Sequence, residues 1–468
     1  MNFMVLDLIL LAIFLIAIVT FLIIRRKNLK KEGLLFLYRT NWGLKIIKKV
    51  GGKHKKLFKV LSHVSIWIGY ALMAGMLYLF GKIVWLYLFN ADVVRAIKVP
   101  PIMPLIPYLP QIFKLSFLPP FYFTYWIIIL AVIAITHEFF HGIFAAANKV
   151  KTKKTGFGFF PFFFPVFLAA FVELDEKVMK KRSNFSQRAV LSAGTFANLL
   201  TALVGVLLLW GFFAAAFTPA GVVFDDYGST VQNVSSITMI NGISLVNPSY
   251  SQIGPLIKLT NNTIYIENQK FTKVRGFSRD KTLIALYYES PALKEELYGP
   301  IVDINNAKVT SLESFKNELA RYSPGDPVTI TTMVDGEEKD FNLFLEESPV
   351  DTGKAWLGVV FYESQKGVVA SIVAFFNSYK EPHIYYEPKI EWFQFIYDLL
   401  WWLILISFSV ALVNMLPMGI FDGGRFFYLT VLAITKKPKI AEKSFKVVTA
   451  ILLGLLLLIM IFWVKGMF

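Results

Sequence analysis

The stretch Phe121–Ala147, FYFTYWIIILAVIAITHEFFHGIFAAA, decides how the rest of the chain is read. It is long and apolar enough to cross a bilayer as a helix, yet it carries two histidines and a carboxylate, His137, Glu138 and His141. At four-residue spacing the two imidazoles project from one helix face a turn apart, the separation that lets them share one tetrahedral Zn²⁺. Glu138, next to the first of them, is placed to reach a water at such a metal. A lone histidine in a helix is usually a satisfied packing residue. Here the chain has only five histidines, and ionisable groups at membrane depth cost roughly 2.5–3.5 kcal/mol on insertion scales, so the pattern is read as functional. A catalytic metal needs a third protein ligand and an open position, so a further ligand is expected elsewhere in the chain.

Composition sets the class. Of 468 residues 56% are apolar, which places the chain among multi-span membrane proteins. The net charge of +16 would suggest nucleic acid on a soluble surface, but residues 218–390 hold 15 Lys/Arg against 21 Asp/Glu and are net acidic. The basic surplus therefore sits in short loops beside apolar segments, the pattern that sets membrane orientation; nucleic acid is not an expected partner, and the lipid bilayer is. The absence of cysteine excludes disulfides and thiolate metal sites.

Working outward, Phe3–Ile24 reads as a first span, followed by Arg25-Arg26-Lys27 and a basic stretch to Lys59 with one acid, Glu32. Because the positive flank follows the apolar run, this is expected to be an anchor with its N-terminus outside, and the basic stretch a cytoplasmic loop in contact with anionic headgroups. A second span covers about Val64–Phe89, and prolines 100, 101, 104, 107, 110, 119 and 120 punctuate an outer connection. Lys149, Lys151, Lys153 and Lys154 then mark the cytoplasmic end of the histidine span. The aromatic run Gly156–Leu174, broken by Gly158, Pro161 and Pro165 and basic on both sides, is expected to be a re-entrant or interfacial hairpin lining the site. A fourth span, about Ala189–Phe217, contains Gly194 and Asn198, where small residues allow close helix approach.

From Thr218 the sequence changes to short strands, turns and mixed charge. Gly299–Val309, a helical Leu312–Tyr322 and Pro324–Ile330 resemble a PDZ domain of the protease-associated kind, which binds extended peptides by strand addition. Ile237–Leu245 reads as a weaker second copy, with Asn241-Gly242 first of all a hairpin signal. Gly367–Phe376 is a short interfacial element, Trp392–Val413 a fifth span, and Val447–Val464 a sixth beyond five lysines. The expected organisation is residues 1–120 (two spans, a basic loop and a Pro-rich outer loop), 121–217 (metal motif and hairpin), 218–362 (PDZ-like, in one or two copies), 363–391 (interfacial), 392–434 (the broken fifth helix) and 435–468 (basic loop and last span).

The third ligand is sought where the fifth span breaks, at Asn414-Met415-Leu416-Pro417-Met418-Gly419-Ile420-Phe421-Asp422-Gly423-Gly424. Asp422 lies there on irregular backbone, on the same positively flanked side as the histidines, and two histidines with one carboxylate form a catalytic zinc set. The alternative role for Asp422 is to cap the short helix that follows.

With these motifs in place the chain resembles the site-2 protease family of intramembrane zinc metalloproteases. The resemblance rests on His137-Glu138-x-x-His141 and on Asn414-x-x-Pro417-x-x-x-x-Asp422-Gly423, standing in the family's order, with the aromatic hairpin, Gly194 with Asn198 and the PDZ region between them. Phe140 departs from the glycine that many members carry there. The resemblance implies an α-helical polytopic fold of about six spans with an inserted mixed α/β outer region. It also implies Zn²⁺ on His137, His141 and Asp422, Glu138 as catalytic base, and Asn414 and Asn198 as substrate-binding residues. The implied activity is hydrolysis of a peptide bond in or near a transmembrane helix of membrane-protein substrates, with the site toward the cytoplasmic side. The alternative is a non-catalytic membrane scaffold or receptor binding peptides through its PDZ region.

Overall fold

A computed structural model describes residues 3–467 except 33–34, 91–99, 102, 116–117, 160–167, 259–260, 268, 335, 363–366, 368–370, 372–373 and 375. The chain forms two compact units, residues 1–211 with 394–468, and residues 212–393. The short element expected at Gly367–Phe376 lies largely outside the described residues.

Among the described residues six helices are long and apolar enough to cross a membrane: Phe3–Ile24, Lys55–Phe89, Phe123–Ala147, Asn184–Ala216, Trp392–Asn414 and Pro438–Lys465. The first is α1 (Phe3–Ile24). Its exposed face carries Ile13, Ile16, Ile23 and Ile24, an apolar surface that suits lipid better than water. Asp7, the only charge in α1, is completely buried.

The stretch after α1 differs from the basic loop expected of it. Leu29–Glu32 (β1) and Leu35–Thr40 (β2) form strands, Leu44–Lys53 is a helix (α2), and α3 starts at Lys55 and runs to Phe89. The reason is non-local pairing. Thr152–Phe159 (β3), which follows the histidine helix α4 (Phe123–Ala147), pairs with β2 from Phe36↔Phe159 to Thr40↔Thr155. Leu168–Leu174 (β4) pairs with β3 in turn, giving an antiparallel sheet in the order β1-β2-β3-β4. Gly156 is required in it, because a Cβ there would collide with the Tyr38 carbonyl. Arg39 clamps the sheet, bonding Glu173 at 2.9 Å and Glu32 at 2.6 Å. The expected hairpin is thus half of a larger sheet, and its tip, including Phe160, Pro161, Phe162–Phe164 and Pro165, lies outside the described residues.

After β4 come Glu176–Lys180 (α5), capped by Asp175, and the long α6 (Asn184–Ala216). Past the second unit, α8 (Phe393–Asn414) gives way to α9 (Asp422–Thr435) and α10 (Pro438–Met467). Apolar side chains of α2, α4 and α6 share one cluster, in which Ile47, Phe144 and Ala193 are fully buried.

Among its described residues the second unit has two six-stranded sheets, each over its own core, and two short two-stranded pairings, Glu346–Glu347 with Ala355–Trp356 and Asp226–Tyr227 with Val359–Val360. Ser229–Asn233 (β5), Met239–Ile240 (β6), Ile243–Ser244 (β7), Ile264–Ile266 (β8), Gln269–Phe277 (β9) and Leu283–Tyr288 (β10) form the first, around Ile240, Ile264, Phe271 and Ile284. The β6–β7 turn is the Asn241-Gly242 hairpin, with both residues at positive φ as such two-residue loops require. The second sheet contains Ile301–Ile304 (β11), Pro327–Val334 (β12) and Glu337–Phe344 (β13), packed with the helix α7 (Leu312–Leu319) around Ile304, Phe315 and Ile330. Its edge is completed by the unit's first and last strands, Phe217–Val222 and Ile384–Pro388, paired antiparallel. This is a mixed α/β region built from antiparallel sheets, as the sequence predicts.

Candidate metal centre

Helical spacing brings His137 and His141 together as expected: their Nε2 atoms are 3.0 Å apart. Asp422 arrives from the other end of the chain, its Oδ2 3.2 Å from His141 Nε2 and 3.4 Å from His137 Nε2. Bonds of about 2.0–2.1 Å to one tetrahedral ion would separate ligand atoms by roughly 3.3 Å, so the three are already spaced as ligands. Asp422 begins α9, but the cap residue of that helix is Phe421, which makes no side-chain cap bond; the carboxylate faces the histidines. Two glycines set it there. A Cβ on Gly423 would collide with the backbone of Met415, and one on Gly424 with the Met418 carbonyl, so only glycine lets α9 seat against the turn after α8. Arg425 then ties α9 to Glu176 of α5 at 3.1 Å.

The protons around the imidazoles point the same way. His141 Nδ1–H donates to the Val190 carbonyl at 2.7 Å, which leaves a lone pair on Nε2. His137 Nδ1 lies 3.0 Å from Nδ2 of the fully buried Asn198, whose Oδ1 has no partner; turning the carboxamide over gives Oδ1 the ring nitrogen as its partner. With the carboxamide oxygen turned to the ring, Nδ1–H donates and the second Nε2 lone pair also faces inward. Two lone pairs and a carboxylate then converge with no donor between them, an arrangement that is stable only around a cation. Gly194 on α6 completes the cradle: a Cβ there would collide with Nε2 of both histidines. The donor set therefore fits a divalent metal, and His137, His141 and Asp422 are the three residues that could hold it.

Glu138 is beside this cluster, and its Oε2 accepts the Val172 N–H of β4 at 2.8 Å. Because β4 is the last strand of its sheet, that N–H belongs to an unpaired edge. A crevice lined by Trp42, Glu138, Phe139, Thr155, Phe171 and Val172 opens there. Phe140 packs into the apolar cluster with Phe144 and Phe196, while the close helix approach next to the histidines is supplied by Gly142, facing Ile47. Asn414 ends α8, half-buried, and makes no hydrogen bond to the cluster among the described residues. Asn198 is brought to the back of His137. Nothing in the residue types marks Val190 or Val172, since both act through backbone groups that almost any residue would offer.

These residues fall inside a recognised family. The model of peptidase family M50, the site-2 protease family, matches residues 125–459. The chain belongs to that family. It is therefore a metalloprotease by family and, with its six apolar helices, a multi-pass membrane protein. The match begins at Tyr125, just inside α4, and runs past the Asp422 motif into α10, so α1–α3 lie outside it. No curated protein matches the chain.

Proposed function

We propose that the chain is an intramembrane zinc endopeptidase that hydrolyses a peptide bond in or near a transmembrane segment of membrane-protein substrates. The observation that carries this reading is the convergence of His137, His141 and Asp422 beside Glu138, with both histidines and Glu138 on a helix apolar enough for the bilayer. Zinc held by these three ligands supplies Lewis acidity toward a water and the scissile carbonyl. Glu138 is the proton carrier. Its Oε1 takes a proton from the attacking water and passes it to the amide nitrogen as the C–N bond breaks, so the hydroxyl stays on the new carboxyl group and the amine leaves neutral. Asn198 and the Val190 carbonyl hold the imidazoles in the tautomer with Nε2 free.

A transmembrane helix must unwind before its carbonyl is accessible. The edge of β4 offers backbone groups for an extended substrate strand beside Glu138, and Asn414, at the end of α8, is a second candidate to hold it. In this reading the hairpin tip re-enters the bilayer and the site opens on the positively flanked, cytoplasmic side. The outer unit, PDZ-like in its second sheet, filters substrates by the size or identity of their outer domain.

Two measurements test it together: bound zinc in the purified protein, and cleavage of a transmembrane substrate by Glu138→Gln. The expected result is stoichiometric zinc in both forms, with cleavage reduced at least about 10³-fold in the variant. Wild-type cleavage by Glu138→Gln would sink the mechanism, and a protein without zinc that still binds peptides through residues 218–362 would support a scaffold instead.

A further inference from the structure

The helix α2 touches the metal-bearing turn at two points. Ile47, fully buried, faces Gly142, where a Cβ would come within 2.9 Å of Ile47 Cδ1. One turn on, Gly51 lies against the Ile143 carbonyl, where a Cβ would approach to 2.5 Å. At the other end of the turn Trp42 meets Phe139 edge to face at 5.4 Å, and Gly43, at φ +74°, fits against the same ring. The residues flanking Glu138 and His141 are therefore held by one short element that lies outside the matched family region.

The opposite face of that element is strongly basic. Lys45, Lys48, Lys49 and Lys53 are exposed on α2, and His54, Lys55, Lys56 and Lys59 follow into α3. No acid occurs between Glu32 and Asp92, and none of these lysines enters an ion pair among the described residues. Trp42 and Ile46 lie among them, 56% and 55% exposed. Lysines interleaved with an exposed tryptophan and isoleucine, on a helix one residue from a membrane-crossing one, are the composition of a headgroup-level surface. An acidic protein segment would match the charge but would leave the apolar residues without a partner.

We propose that α2 and the first turn of α3 dock on anionic lipid headgroups, and that lipid held there fixes the turn carrying Glu138 and His141. Lipid charge thereby regulates how well the site is ordered. The ordering itself does not depend on the catalytic reading, because it is measured without substrate.

The test uses the full chain, zinc-loaded, in nanodiscs of phosphatidylcholine with and without phosphatidylglycerol. Backbone hydrogen exchange is followed in peptides covering residues 44–53 and 137–144, with zinc loss to a chelator as a second readout. Phosphatidylglycerol is expected to slow exchange in both peptides on the order of tenfold, and high salt to reverse it. Replacing Lys45, Lys48, Lys49 and Lys53 by Gln should remove the lipid effect, whereas the same change at Lys436, Lys437, Lys439 and Lys443 should leave it. Ile47→Ala should keep the lipid effect at residues 44–53 and lose it at 137–144. The proposal is overturned if phosphatidylglycerol changes neither peptide, if the α2 lysine variant responds as wild type does, or if Ile47→Ala leaves the two peptides coupled. It is overturned in favour of a protein partner if polyglutamate, and not lipid, slows exchange.

Discussion

Two polar clusters lie on the same apolar helix, and they are built oppositely. At the start of α4 the buried Asp7 of α1 accepts from Tyr108 Oη at 2.6 Å, Phe123 N at 2.7 Å, Thr124 N at 2.9 Å and the Thr124 hydroxyl. Every lone pair has a donor, and the orphan N–H groups of the helix start are satisfied by a residue from another helix, since Tyr122 supplies no side-chain cap. About four turns further along, Nε2 of His137, Nε2 of His141 and Oδ2 of Asp422 lie within 3.4 Å of one another, and with both imidazoles in the Nδ1–H tautomer none of the three is a donor. The first cluster is complete as it stands and holds α1 to α4. The second is complete only with a cation. Saturation of the hydrogen bonds, more than burial or charge, separates a structural polar group in a membrane helix from a ligand-binding one.

The sharpest way to break this contrast is to remove one carboxylate from each cluster. Asp422→Ala should reduce bound zinc from stoichiometric to trace amounts and cleavage by at least about 10³-fold, with little change in thermal stability of the metal-free protein. Asp7→Ala should do the reverse, keeping zinc but destabilising the helical unit by about 2–4 kcal/mol, because two backbone N–H groups and a tyrosine hydroxyl lose their acceptor. Metal analysis and thermal inactivation in detergent measure both. Stoichiometric zinc in Asp422→Ala, or loss of zinc in Asp7→Ala at unchanged stability, would reverse the assignment.

Asn198 sharpens the comparison, because it links the metal cluster to ordinary packing. If its carboxamide orients His137, Asn198→Ala should weaken zinc binding by about 10–100-fold without removing a ligand. A chelator competition at fixed pH reads this directly. An unchanged zinc affinity, accompanied by a raised KM, would return Asn198 to substrate binding.

The same contrast explains what could be read from the sequence. Asp7 was visible as a lone acid in a span, but nothing in Phe3–Ile24 indicates that its acceptors serve Phe123 and Thr124, over a hundred residues away. His137, His141 and Asp422 were legible because metal ligands need particular side chains at a helical spacing and at a break made by Pro417 and two glycines. The six spans were legible from their apolar length. Leu29–Thr40 reads as part of a cytoplasmic loop because it lies in the basic stretch that follows Arg25-Arg26-Lys27; its strands exist through pairing with β3, a partner that local sequence does not name. Likewise Val172 and Val190 contribute only an N–H and a carbonyl, so no residue type could have marked them.

A third polar cluster, in the second unit, marks the weak end of the scale. Glu289 meets Lys270 at 2.8 Å and Lys294 at 3.7 Å, and Lys294 reaches on to Glu346 at 2.6 Å. Partial burial pushes the Glu289 carboxyl up, but the Lys270 hydrogen bond and the Lys294 charge outweigh it and hold the group below its ordinary 4.5. A carboxyl depressed in the folded state adds stability above its unfolded value and loses it as pH falls through the folded one. The window is therefore acidic, from about pH 4.5 downward. Because the lysines are more than a third exposed, water and salt screen the pairs, and the contribution at neutral pH should be below about 1 kcal/mol. In thermal melts of this unit's transition, Glu289→Gln should be slightly less stable than wild type at neutral pH, and the difference should vanish as pH falls through the lowered carboxyl's range. A difference that persists unchanged into acid would mean that Glu289 acts by shape, as a satisfied packing group like Asp7, and not by charge.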